Sequence, residues 1–497
     1  MGLEIDRDRF EATEYVEFGE RLSDCLLALE TLLDRSGFGE GPTTIGAELE
    51  VALIDEAARP TPLNVEVLQE TLDPRMTLEI DRFNLECNLC YSSLAGAPFA
   101  ALRRELEAHD ELSRAAALHG GRIAMIGILP TVSTGDLDSD AMTDTARYRA
   151  LAFALREARQ APFRLDIDGE DPLVMDCDSV TSEGAATSLQ LHLRVAPKDF
   201  APLFNAIQLA TAPAIALAGN SPIFIGHRLW EETRVALFKQ AVDERDAQAK
   251  QSQRLPRVGF GTQWLRDGAL ELFREAVEIF PPLLPILDRE DPVACLKAGG
   301  IPRLREMRLH QGTVWSWNRP VYDPADGGHL RIELRALPSG PTITDMLANT
   351  AFIVGLAYGL VPEIKSLTER FDFADAHANF YRAAQGGLDA WLVWPDGAAG
   401  VTAAGDRIRA ADLADQLVEV ARRGLRAQGV EPADADPLLE VITARAQSGQ
   451  TGAVWQRRML ALLEPGRPSE AALAQLVQRY VLLSAEGTPV HTWPVEP

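Results

Sequence analysis

Four short runs of this chain alternate apolar with polar residues, and carboxylates, guanidiniums and an imidazole dominate their polar positions. Side chains two apart in a strand share a face. In TTIGAELEVALID, Ile45, Ala47, Leu49, Val51 and Leu53 therefore form one side, with Gly46, Glu48 and Glu50 on the other. In LEIDRFNLECNLC, Leu85, Cys87 and Leu89 oppose Asn84, Glu86 and Asn88, and Glu79 stands seven residues before Glu86. TSLQLHLRV sets Gln190, His192 and Arg194 against four apolar partners, and GHLRIELRALPSG does the same for Arg331, Glu333 and Arg335.

An antiparallel sheet often turns one face to water, and for any single strand that is the ordinary reading. Solvated faces usually carry lysine, threonine and serine, whereas these four contain no lysine. Carboxylates packed side by side repel unless a cation lies among them, and Mg²⁺ is the usual partner of carboxylate oxygens that work with phosphates. Together the four faces point to a metal–nucleotide site on an antiparallel sheet.

Helical spacing fills the intervals. It predicts helices over Tyr15 to Leu33, Pro98 to His119, Thr143 to Arg159, Lys198 to Leu217, Glu231 to Ala247, Ala269 to Ile279 and Thr344 to Leu360. RIAMIGILPTV reads as a buried strand closed by Pro130, and HQGTVWSWNRPVYD as a strand with Thr313, Trp315, Trp317 and Arg319 on one face. From Ala374 to Ala485 the chain reads as Ala/Leu-rich helices. The expected organisation is an α+β catalytic body, residues 1–375, followed by a mostly helical region, residues 376–497, packed on it or separate from it.

Several function classes fall away. With 73 acidic and 48 basic residues the formal charge is −25, which argues against a nucleic acid or anionic membrane held by bulk electrostatics. No apolar run approaches the eighteen or so residues of a membrane span. The alternating charges of the first residues do not resemble a secretory signal, so a cytoplasmic location is expected. Five cysteines at irregular spacing suit a reducing compartment. Cys87 and Cys90 form a CxxC without a second pair at zinc spacing or a helix start to lower a thiol pKa, so both are expected to be structural. No GxxxxGK[ST], no GxGxxG after a strand, no GxSxG and no HExxH is present.

These segments resemble, in order from about Thr43 to Leu360, the glutamate–cysteine ligase superfamily, which includes bacterial carboxylate–amine ligases and is related in fold to glutamine synthetase. The resemblance rests on Gly46-Ala47-Glu48-Leu49-Glu50, the NLECNLC strand, Ile128-Leu129-Pro130, Gln190-Leu191-His192, Thr313 to Pro320, and Arg331-Ile332-Glu333-Leu334-Arg335. It implies an antiparallel sheet curled into a funnel, with helices on its outer face. It also implies an ATP-dependent ligase with Mg²⁺ or Mn²⁺ that joins a carboxylate, foremost the γ-carboxylate of glutamate, to an amine, foremost cysteine, through an acyl phosphate. By the same resemblance Glu48, Glu50, Glu86, His192 and Glu333 look like metal ligands or their neighbours. Glu79 matches a further acidic position, Arg335 the guanidinium facing the transferred phosphate, and Arg319 with Trp315 the substrate pocket. Gln190 stands where the family often has a histidine and could ligate or bind substrate through its amide oxygen. Another acid–amine pair, or a catalytically silent relative that binds or regulates, are the alternatives. The acidic set is complete, which favours an enzyme.

Overall fold

In the computed structural model, which describes residues 5, 7–107, 109–395, 397–401 and 407–496, the alternating runs become strands of one sheet. The strands are β1 (Thr44–Ile54), β2 (Met76–Leu78), β3 (Asn84–Asn88), β4 (Ser92–Ser93), β5 (Arg122–Ala124), β6 (Leu189–Val195), β7 (Asn318–Asp323) and β8 (His329–Leu334). Their order is β7-β8-β6-β1-β3-β2, with β4 and β5 pairing with the two ends of β1. Neighbours run antiparallel, and the register keeps like faces together. Leu49 lies opposite Cys87 and Leu193 opposite Ile332, while on the other face Glu50 meets Glu86 and Glu333 meets His192. The sheet curls so that this polar face becomes the inner wall of a funnel, as the resemblance implies.

The apolar faces are buried, Ile45, Val51, Leu191, Leu193, Leu330 and Ile332 all at 0% exposure, in one hydrophobic cluster shared with the outer helices. Among these helices are α1 (Ala12–Leu33), α2 (Ala146–Arg159), α3 (Phe200–Ala218), α4 (Ile343–Leu360), α5 (Ala410–Ala427), α6 (Pro432–Ser448) and α7 (Glu470–Glu486). Helix α3 is buried on every side and apolar except at Asn205, Gln208 and Thr211. Its Gln208 and Thr211 side chains accept 2.6 and 3.1 Å hydrogen bonds from Asn318 Nδ2, tying the helix to β7.

Helices α4 and α5 cross at unusually close range because glycines notch both. A Cβ at Gly355, Gly359 or Gly424 would press into backbone atoms of the facing helix. From the other side, Arg445 of α6 donates to Asp345 of α4 at 2.7 Å with both side chains almost wholly buried. Tyr480 of α7 donates to Met125 O and accepts from Asn220 Nδ2, both at 2.8 Å.

Some expectations need correction. The run from Arg122 is a strand only to Ala124, its remainder being irregular and fastened to the segment before β6 at the Ile128–Ala186 bridge. The expected Pro98 to His119 helix is two helices, Pro98–Leu106 and His109–Leu118, and Ala108 between them lies outside the described residues. Glu231 to Ala247 forms a helix only over Arg234–Ala241, with another at Ala247–Gln251. The tryptophan-rich run is a strand only from Asn318, so Thr313 and Trp317 do not share a face with Arg319. Trp317 is 1% exposed and packs edge-on against Phe238. By length and composition, Pro197–Ala218 and Ile343–Arg370 are apolar enough to cross a membrane, contrary to the sequence expectation. Their apolar windows are 94% and 72% buried within the protein, which accounts for their composition.

Candidate active site

The funnel encloses a cavity of about 1330 Å³. Every site residue anticipated above lines it: Glu48, Glu50, Glu79, Glu86, Gln190, His192, Trp315, Arg319, Glu333 and Arg335. Strand alternation delivers most of them, since β1, β3, β6 and β8 each present consecutive inward positions. Glu79 is supplied by the short segment between β2 and β3.

Glu50, Glu79 and Glu86 stand together, each offering a carboxylate oxygen within 4.8 Å of the others. Glu50 is held in place by the Ser188 backbone N–H at 2.6 Å, the Ser188 hydroxyl at 2.9 Å and Gln190 Nε2 at 2.8 Å. Glu86 accepts from Thr77 Oγ1 at 3.0 Å and Asn88 Nδ2 at 2.8 Å. Glu79 accepts from the Ile80 N–H at 3.2 Å. Burial, then the charges of Glu86, Glu50 and Glu183, push the Glu79 carboxyl well above its ordinary range. Burial and the neighbouring Glu48 and Glu50 also raise Glu86, and burial raises Glu50 against the pull of Arg335 and Arg234. Carboxyls that resist ionisation because they are buried together are relieved by a cation placed among them. This donor set, hard oxygens at close quarters, fits a divalent cation of the Mg²⁺ type.

The remaining groups form two further arrangements. Glu48 Oε1 lies 3.1 Å from His192 Nε2, and although burial opposes it, that imidazole draws the Glu48 carboxyl down to about 2. Glu333, 2% exposed, is bracketed by two guanidiniums: Arg319 Nε donates to one oxygen at 2.9 Å and Arg335 to the other at 2.5 Å. Despite burial, Arg319 and then Arg335 hold Glu333 far below the usual carboxylate range. Arg335 also donates to the Gln190 amide oxygen, so Gln190 bridges Glu50 and Arg335.

Glu183 is a cavity residue that alternation could not find. It sits in the loop before β6, lines the cavity beside Glu50 and Glu79, and burial followed by the charge of Glu50 raises its carboxyl to about 7. The neighbouring Gly184 packs so tightly on Asp81 that a Cβ there would come 2.5 Å from the carboxyl carbon. That glycine is the only trace in the sequence. At the opposite end of the strands, Arg194 lies across from Arg331, and both line the cavity with Arg308. Four residues of strand separate Arg194 from Gln190, about 13 Å.

The two cysteines of the CxxC differ in setting. Cys87 is buried and burial pushes its thiol up to about 12, while Cys90 is exposed with its thiol raised by burial and by Glu105. Neither has the electropositive setting of a reactive thiol.

The model of glutamate-cysteine ligase family 2 matches residues 44–479. Among solved structures, the chain is similar to the glutamate–cysteine ligase of Francisella tularensis in complex with AMP, with a TM-score of 0.52 and 11% identity over 92% of this chain and 91% of that one. It also aligns with a bifunctional glutathione synthetase from Pasteurella multocida at a TM-score of 0.48 and 11% identity, over 95% of this chain and 55% of that one. No curated protein sequence matches the chain significantly.

Proposed function

The chain belongs to glutamate-cysteine ligase family 2, and on that premise we propose that it is an ATP-dependent ligase that joins the γ-carboxylate of glutamate to the amine of cysteine through an acyl phosphate. The observation that carries the reading is the shared inner face on which the Glu50, Glu79 and Glu86 carboxylates stand beside the guanidinium-bracketed Glu333.

A carboxylate is a poor electrophile. In the proposed reaction its oxygen attacks the γ-phosphorus of ATP and ADP leaves, giving an acyl phosphate. The amine nitrogen then attacks the acyl carbon, phosphate leaves, and the nitrogen gives up a proton. Phosphoryl transfer asks the protein for alignment and for offset of charge, with no nucleophilic side chain. Glu50, Glu79 and Glu86, together with the Glu48–His192 pair, are the groups that would hold divalent metal. Metal bound there supplies positive charge to phosphate oxygens. Arg335, fixed by Glu333 and Gln190, offers its planar fork to the moving phosphoryl group. Arg319, turned the same way by Glu333, faces the acidic substrate.

Gln190 supports a second reading, in which the same chemistry acts on a different acid–amine pair. Its amide is committed to Glu50 and Arg335, so a substrate group that met a histidine in related ligases would meet a different donor set here. One experiment separates these readings from a silent relative: ADP release with Mg²⁺, ATP and glutamate, screened across amino-acid acceptors. Acid- and amine-dependent release with cysteine preferred supports the first reading, and preference for another acceptor supports the second. Absence of release with every pair would remove the enzyme reading.

A further inference from the structure

Strand β8 ends at Leu334, and Arg335 follows where the ladder stops. Its N–H donates to Trp317 O at 2.8 Å. The carbonyls beyond the ladder are taken up by a side chain from a distant segment: Arg234 donates through Nη1 to Ala336 O at 3.1 Å and through Nη2 to Arg335 O at 3.5 Å. Arg234 opens the helix Arg234–Ala241 and is 3% exposed. Glu232, wholly buried, holds it at 3.2 Å, and itself accepts from the Asn220 N–H at 2.9 Å and the Ser221 hydroxyl at 2.8 Å.

The same support continues into the C-terminal helices. Asn220 Nδ2 donates to Ser339 O and to the Tyr480 hydroxyl of α7, both at 2.8 Å. Gln456, in the helix Gly452–Leu463, donates to Asn220 Oδ1 at 3.0 Å. Gly452 lacks the side chain that would strike that amide. The segment 335–339 is thereby fastened at both ends, Arg335 and Ala336 by Arg234, and Ser339 by Asn220. None of Arg234, Glu232, Asn220, Gln456 and Tyr480 lines the cavity. A buried ion pair is often no more stable than apolar groups of the same volume. What this one fixes is the backbone beneath the guanidinium that, in the proposed reaction, faces the phosphoryl group. Misplacing such a group by about 1 Å costs on the order of a hundredfold in rate.

We propose that Arg234 is a positioning residue for phosphoryl transfer: held by Glu232, it fixes the backbone of Arg335, and Asn220 with Tyr480 and Gln456 completes that support. The C-terminal helices then set the rate of the reaction as well as closing the fold. The proposal rests on the ligase reading above and adds to it residues that touch no substrate.

The test uses the full chain with ATP, Mg²⁺, and the acid and amine that support ADP release by the wild type. It measures the single-turnover rate of ADP formation, KM for each substrate and the melting temperature. One variant carries Glu232→Gln with Arg234→Gln, which removes both buried charges together so that neither is left alone. The second is Tyr480→Phe, which loses only the hydroxyl. Gly424→Ala is the control, since it strains the α4–α5 contact and touches none of these groups. The paired variant should lose on the order of a hundredfold in rate and Tyr480→Phe about tenfold, with every KM little changed. Gly424→Ala should keep the wild-type rate in its folded fraction despite a lower melting temperature. If the paired variant does not fold, Tyr480→Phe decides by itself. A wild-type rate in whichever variants fold, or a loss in Gly424→Ala as large as theirs, overturns the proposal and leaves the ligase reading intact. A wild type that releases no ADP with any acid and amine removes both.

Discussion

Glu333 shows how one residue's surroundings set its task. A carboxylate held by two guanidiniums at 2.9 and 2.5 Å stays ionised, so it serves as the fixed point from which Arg319 and Arg335 are aimed. Arg335→Lys keeps the charge but loses the planar fork. The expected result is a fall in kcat on the order of a thousandfold with the melting temperature little changed, because the exposed-pair alternative would cost only about 0–1 kcal/mol of stability and no rate. Wild-type kinetics in that variant would refute the placement of the phosphoryl group. Glu50 differs in kind, since burial raises its carboxyl and a cation bound beside it would relieve that cost. Glu50→Gln should fold and lose nearly all turnover, and Mn²⁺ should raise its melting temperature less than it raises that of the wild type. An equal Mn²⁺ effect on both proteins would move the metal elsewhere.

At the scale of elements, the sheet and the α4–α5 pair obey different constraints. Each strand reads as a strand because its two faces meet different surroundings, and a one-residue slip would put the Glu48/Glu50 face into the core. The helices α4 and α5 depend on absence of side chains. Gly424 faces the Gly355 carbonyl so closely that even a methyl group has no room. Gly424→Ala is therefore expected to destabilise the protein by about 3 kcal/mol through overpacking, visible as an earlier denaturant midpoint at unchanged slope. An unchanged midpoint would mean that these helices separate readily. The site lies on the far side of the sheet, so residual activity in the folded fraction should match the wild type.

For the whole molecule, we propose that residues 376–497 fold with the preceding body as one cooperative unit. Asp345 of α4 is fully buried and satisfied by Arg445 at 2.7 Å, by the Val490 N–H at 3.0 Å and by the Thr342 hydroxyl at 2.8 Å. Two of those partners come from the C-terminal region. Arg445→Met leaves that carboxylate without its counter-charge and should cost about 3–5 kcal/mol. Calorimetry should show one transition that moves as a whole. Two transitions, with only the second displaced, would establish a separately folding region.

The sequence by itself determined which residues share the funnel wall along each strand, because a period of two separates faces without reference to anything distant. Glu48 with Glu50, Gln190 with His192, and Glu333 with Arg335 were legible for that reason, and the order of the motifs that carry them gave the resemblance to the family. Tertiary structure decided how those rows are grouped. It set Glu79 beside Glu50 and Glu86, paired Glu48 with His192, and brought Arg308 to Arg194 and Arg331. Such neighbours come from different segments, so their proximity has no period to read. Trp317 went to the core although its spacing matched Arg319, because the strand begins only at Asn318 and alternation holds nowhere outside a strand. Glu183 is the extreme case, a loop residue whose place depends on a glycine resting against a buried carboxyl more than a hundred residues earlier.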